Sequence, residues 1–206
     1  MTQASETPLS FPGLEELFAL YDEEAEQIAH FKEVTRIDCP KGCQKCCETA
    51  RFVEASSFEM LPLSMHLWQT GKAESILMKL EKVDPERPCI LWEPDPVRFS
   101  EGGCRYYPYR PLVCRLFGFS SLPDKYGNSR IALCKPLKEL NPGMEDRLNQ
   151  MIQKGLRVPS IPDESRRAVL LHPYLGLARE SINVSLRRAL EMVGQRIQFM
   201  NQANDL

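Results

Sequence analysis

The chain is short of the groups that most familiar chemistry requires. Histidine occurs three times in 206 residues, at His30, His66 and His172. That is too scattered for an H-E-x-x-H zinc site or a recognisable Cys–His catalytic pairing. Each of the three reads as an ordinary surface or satisfied core residue. There is no phosphate-cradling glycine loop and no G-x-S-x-G elbow, which argues against the common nucleotide-binding and serine-hydrolase classes. Net charge is only -2, so neither sign is in excess to draw nucleic acid or an anionic membrane as partner. The opening MTQASETPLSFPGLEELF has no basic stretch leading into an apolar run, and no uncharged run approaches the ~20 residues that cross a bilayer. The expectation is a cytosolic protein without a membrane or nucleic-acid partner, in a compartment that keeps thiols reduced.

What the chain does have is cysteine in one place. Cys39, Cys43, Cys46 and Cys47 fall within the stretch CPKGCQKCCET, and Cys89, Cys104, Cys114 and Cys134 complete a set of eight. Buried free cysteine behaves as a small hydrophobe, but such use does not produce clusters. A disulfide framework suits short secreted chains, and adjacent Cys46 and Cys47 cannot bridge each other without strain. Metal chelation explains more: thiolates select zinc, Cu(I) or iron–sulfur clusters, and short C-x2-C or C-x3-C gaps aim two sulfurs at one ion. In extended backbone neighbouring side chains diverge, so Cys46 and Cys47 would serve different centres, or one would support the other from behind. Eight thiols fill two four-sulfur sites, or one cluster with accessory thiols. Lys41, Lys45, Arg51, Arg98, Arg105, Arg110, Arg115 and Lys135 surround the cysteines in sequence and would offset thiolate charge.

The rest of the chain frames this segment. Leu14, Leu17, Phe18, Tyr21, Ala25, Ile28 and Phe31 recur at helical spacing after Pro12, with six acids between Glu15 and Glu26 forming a solvated face. Ser56 or Ser57 caps a second helix that Gly71 stops, with Pro62 required in its first turn or as a kink, and Ala73–Val83 reads as a third. Residues 84–136 are broken by proline and glycine into turns, short strands and loops. A loop-rich stretch of that length needs something to hold it, and four of the cysteines lie in it. Helices resume over Met144–Lys154, Asp163–Leu171 and a long final one carrying Ile182, Leu186, Leu190, Val193, Ile197 and Met200. The fold class expected is mainly α: a single domain over 1–206, with helical flanks at 12–36 and 143–203 around an irregular, metal-stapled region at 39–136.

Cys39-x3-Cys43-x2-Cys46 also has the spacing of the radical S-adenosylmethionine cluster motif, but the chain lacks the repeated βα units of the barrel that carries it. The two cysteine stretches together resemble instead the YkgJ-type, or CxxCxxCC, cysteine-cluster family, whose members are described as zinc- or iron-chelating. The first motif has one extra residue after Cys39. The second, Cys104-x2-Tyr107-x2-Arg110-Pro111-x2-Cys114-Arg115, follows the family's C-x2-Y-x2-R-P-x2-C-R pattern. The resemblance implies zinc or iron, or a 4Fe–4S cluster, held by the eight cysteines. Tyr107, Arg110, Pro111 and Arg115 would support the ligands: proline fixing the turn, arginines balancing charge, and tyrosine packing or donating a hydrogen bond. A similar cluster in flagellin lysine methylases leaves an iron–sulfur redox or protein-methylating enzyme as the alternative.

Overall fold

In the computed structural model, residues 9–40, 43–49, 53–84, 88–93 and 103–204 are described. Lys41, Arg51, Arg98 and the proline-rich residues 94–102 lie outside them. Helix α1 (Leu14–Thr35) opens after Gly13, whose φ is +78°. A Cβ there would stand 2.6 Å from the Leu171 carbonyl oxygen, so only glycine lets the helix start against that turn. Its buried stripe runs through Leu14, Leu17, Leu20, Tyr21, Glu24, Phe31 and Thr35; of the expected apolar face, Phe18 and Ala25 are exposed. The six acids therefore do not all face solvent, because Glu24 occupies the middle of the buried stripe.

A short helix, α2 (Lys45–Thr49), follows, then strand β1 (Glu54–Ser56) and helix α3 (Ser57–Gln69). Ser56 caps α3 in a capping box with Glu59. Pro62 sits in the body of α3, past the first turn, and is buried there. Helix α4 (Ala73–Leu80) ends three residues before the expected Val83.

Among the described residues of the irregular region there are only short pieces. These are a 3-10 turn at Tyr107–Tyr109, helix α5 (Leu112–Leu116), and a hairpin of β2 (Ser121–Pro123) with β3 (Ser129–Ile131). The carboxylate of Asp124 closes that hairpin by accepting from the Tyr126 and Asn128 amides. Helices α6 (Lys135–Leu140), α7 (Met144–Gln153), α8 (Ile161–Leu171) and α9 (Pro173–Gly176) lead to strand β4 (Arg179–Ser181) and helix α10 (Ile182–Asn204). Mainly α is the architecture observed.

β4 pairs antiparallel with β1, Glu54 opposite Ser181 and Ser56 opposite Arg179. Helix α10 then lies along α3, burying Ile182, Leu186, Leu190 and Val193 as its spacing requires. Two apolar cores result. The larger joins the first half of α1 to α3, α4 and α10, and the smaller gathers Phe31, Ile37, Phe119, Ile131, Leu137 and Leu148. The cysteine region lies against both.

Candidate metal centre

The first cysteine stretch is a turn running into a helix. Cys39 is anchored by its amide donating to the Asp38 carboxylate at 2.7 Å, and Asp38 in turn pairs with Lys32 of α1. The Cys43 amide donates to the Pro40 carbonyl and the Cys47 amide to the Gln44 carbonyl, both at 2.9 Å. Cys46 and Cys47 lie in α2, not in extended backbone, and their Sγ atoms are 4.0 Å apart.

The second set is held by a β-bridge and two arginines. Trp92 bridges Cys104, with the Glu93 amide donating to Gly103 and the Arg105 amide to Leu91. The Trp92 indole donates to Gln44 at 3.2 Å, which ties this bridge to the first stretch. A Cβ on Gly103 would come within 2.7 Å of the Trp92 ring and 2.8 Å of Gln44. Downstream, Arg110 donates to the carbonyls of Tyr107 and Cys114, both at 3.1 Å, with its guanidinium 3.4 Å above the Tyr107 ring. Arg115 donates to the carbonyls of Arg110 and Pro108 and lies over the Tyr21 ring of α1. Pro111 caps α5 and is buried, its carbonyl accepting from the Cys114 and Arg115 amides. The C-x2-Y-x2-R-P-x2-C-R stretch is thus clamped through its own backbone, four carbonyls held by two guanidinium forks.

Cys39, Cys43, Cys46, Cys47, Cys89, Cys104 and Cys114 line one cavity of about 410 Å³. Cys134 stands beside it, within electrostatic reach of Cys43 and Cys46. Among the described residues no three His, Cys, Asp or Glu side chains are drawn together tightly enough to hold an ion as they stand. The thiols ring a space instead of closing on a point. All eight are free thiols. Burial pushes Cys89 up to about 12 and raises Cys104 and Cys114, the last also through the neighbouring Cys89. Cys46 goes the other way, down to about 6, chiefly through its hydrogen bond with the Cys47 thiol and further because Arg110 faces it. Cys47, the partner in that bond and itself buried, is raised. The amides of Leu91, Tyr106 and Leu137 are aimed at the sulfurs of Cys89, Cys104 and Cys134, each a donor that favours the thiolate. Soft sulfurs, backbone donors aimed at them and one facing guanidinium are a donor set that fits a thiophilic metal.

The other sequence candidates separate cleanly. Arg110 is the cation that acts on Cys46, Cys104 and Cys114. Lys45, Arg105 and Lys135 pair with Glu48, Glu93 and Glu139 at the surface. His66 bonds and stacks with Tyr109, His172 accepts from the Leu175 amide at the start of α9, and His30 is exposed.

Glu59 escaped the sequence reading, though S-x-x-E at Ser56–Glu59 advertises it. Fully buried, it accepts from the Ser56 amide and hydroxyl, from Arg179, and from the Leu112 amide at the start of α5. It therefore fixes the helix that carries Cys114.

No curated protein and no solved structure matches the chain. Residues 38–137 match the CxxCxxCC family, described as a putative zinc- or iron-chelating domain. That span opens one residue before Cys39 and closes three after Cys134, so all the thiols described above fall inside it. Residues 38–137 of this chain, just under half of its length, therefore carry a CxxCxxCC domain.

Proposed function

We propose that this protein chelates zinc or iron through cysteine thiolates, with Cys39, Cys43, Cys46, Cys47, Cys89, Cys104, Cys114 and Cys134 as the ligands. The observation that carries it is the convergence of seven of the eight cysteines on one cavity, from segments that have almost no regular structure of their own. Bound metal would neutralise the thiolates and cross-link these segments. Tyr107, Arg110, Pro111 and Arg115 act behind the ligands: Arg110 supplies positive charge to three sulfurs, and Arg115 and Pro111 hold the turn. The helices before and after the domain share its two cores, so the whole chain folds as one unit around the metal. The compartment is a reducing one, consistent with eight unpaired thiols; no helix among the described residues is long and apolar enough to cross a membrane.

The test is purification without oxygen, followed by elemental analysis and a visible absorption spectrum. Stoichiometric zinc, or iron with charge-transfer bands, is expected. Folded protein without metal, unable to take up either ion and with eight titratable thiols, would end the reading.

A further inference from the structure

We propose that the eight cysteines form two separate metal centres: Cys39, Cys43, Cys46 and Cys134 in one, and Cys47, Cys89, Cys104 and Cys114 in the other. The inference rests on the thiolate chelation proposed above and adds the number of centres and the membership of each.

Three features of the structure lead to this division. The first is the pair of cores: Cys89 and Cys114 pack against the larger, while Cys134 packs against the smaller. Ligands rooted in different cores reach the cavity region from different sides. The second is which thiols face which. Cys39 lies beside Cys43, with Cys46 and Cys134 in electrostatic reach, and Cys134 faces Cys43 and Cys46. Cys114 faces Cys89, Cys104 and Cys46, Cys47 faces Cys114 and Cys104, and Cys89 faces Cys104. Each of these relations stays inside one of the two sets or runs through Cys46.

The third feature is α2 itself. Successive residues on a helix are set about 100° apart, so Cys46 and Cys47 enter the one cavity they both line from different bonds of α2, their Sγ atoms 4.0 Å apart. One thiol of the pair can then ligate in each half of that cavity. Cys46 is assigned to the first set because Cys43-x2-Cys46 gives the two-sulfur bite of a single turn. Without it that set has only three sulfurs, whereas the second already has four. The Trp92–Cys104 bridge and the Trp92–Gln44 hydrogen bond tie the second set to the residue that precedes α2.

Cobalt(II) is the probe, because it takes tetrahedral thiolate sites and absorbs in the visible. Oxygen-free titration followed by native mass spectrometry should show two cobalt ions on the intact chain. The paired variants Cys39→Ser/Cys134→Ser and Cys89→Ser/Cys114→Ser should each keep one ion, and Cys39→Ser/Cys114→Ser should keep none. Saturation of the intact chain at one ion overturns the division, as does equal retention by the within-set and cross-set variants. If the variants fail to fold, the intact chain still decides. With one equivalent of cobalt added, alkylation and peptide mapping should find molecules protected in the two blocks named. Protection of Cys46 and Cys47 as members of one block overturns it. An intact chain that takes up no cobalt, zinc or iron fails at the earlier step, chelation itself.

Discussion

At the scale of single residues, the two arginines of the second motif do different work. Arg110 faces three sulfurs; Arg115 spends its donors on the Arg110 and Pro108 carbonyls and its flat face on Tyr21. A lysine in place of Arg115 keeps the charge but cannot hold two carbonyls and stack at once. Arg115→Lys should therefore destabilise the fold almost as much as Arg115→Ala, by about 1–3 kcal/mol from lost charged hydrogen bonds, read by urea denaturation. Near-normal stability of the lysine variant would reduce the residue to a charge. Glu24 is the other residue out of pattern. Both its oxygens are buried without hydrogen-bond partners, and burial first, then the nearby Glu164, push its pKa to about 8 from an ordinary 4.5. Arg115, Glu59 and Arg167 also face it, the arginines opposing the shift. Below pH 4.5 the folded and unfolded chains both hold the proton. Between 4.5 and 8 the unfolded chain releases it and the folded one does not, so stability falls by up to ~1.4 kcal/mol per pH unit. Glu24→Gln should be progressively more stable than the parent from pH 5 to 8. Parallel melting curves across that range would mean that Glu24 is not carrying the proton.

At the scale of elements, the site hangs from the N-terminus of α3. Glu59 caps its own helix, pairs with Arg179 of β4 at 3.0 Å and accepts from Leu112 of α5 at 3.2 Å. Glu59→Ala leaves the Arg179 guanidinium short of its carboxylate and the Leu112 amide without an acceptor. A cost of about 3–5 kcal/mol is expected, as for breaking a buried ion pair, with Cys114 becoming the most readily alkylated thiol of the second motif. Unchanged thiol reactivity in a destabilised variant would separate Glu59 from the site. Gly103→Ala acts on a different joint. Its methyl group meets both Trp92 and Gln44, so it should loosen the tie between the two cysteine stretches and weaken metal retention against a chelator while leaving helix content intact.

At the scale of the molecule, the long periodic helices were legible because burial of one stripe leaves a mark every three or four residues. α10 shows its buried residues where spacing put them. In α1 most of the expected apolar face is buried, and the departure is Glu24, a carboxylate inside that face. The capping box at Ser56 was in plain view as S-x-x-E, but its longer reach was not. Glu59 meets Leu112 and Arg179 only through tertiary contact, and no local signal carries a pairing 120 residues away. The cysteine region was legible as a cluster and opaque as a geometry: α2 turned an expected extended pair into a helical one. Removing metal should raise hydrogen exchange first in residues 103–134, which have only short pieces of regular structure, and last in α3 and α10. Uniform protection with and without metal would show that the loops are held by packing alone.

The pairing of β1 with β4 has a consequence in time. The strand that follows the first four cysteines finds its partner only at Arg179–Ser181, and Arg179 is also what holds Glu59. A ribosome synthesising this chain delivers every thiol well before it delivers the strand that frames them. Growing chains released short of residue 179 should thus remain fully alkylatable at Cys114, and chains that include α10 should not. The thiols are exposed longest when the protein is youngest, and a supply of metal or a reducing escort matters most before synthesis is complete.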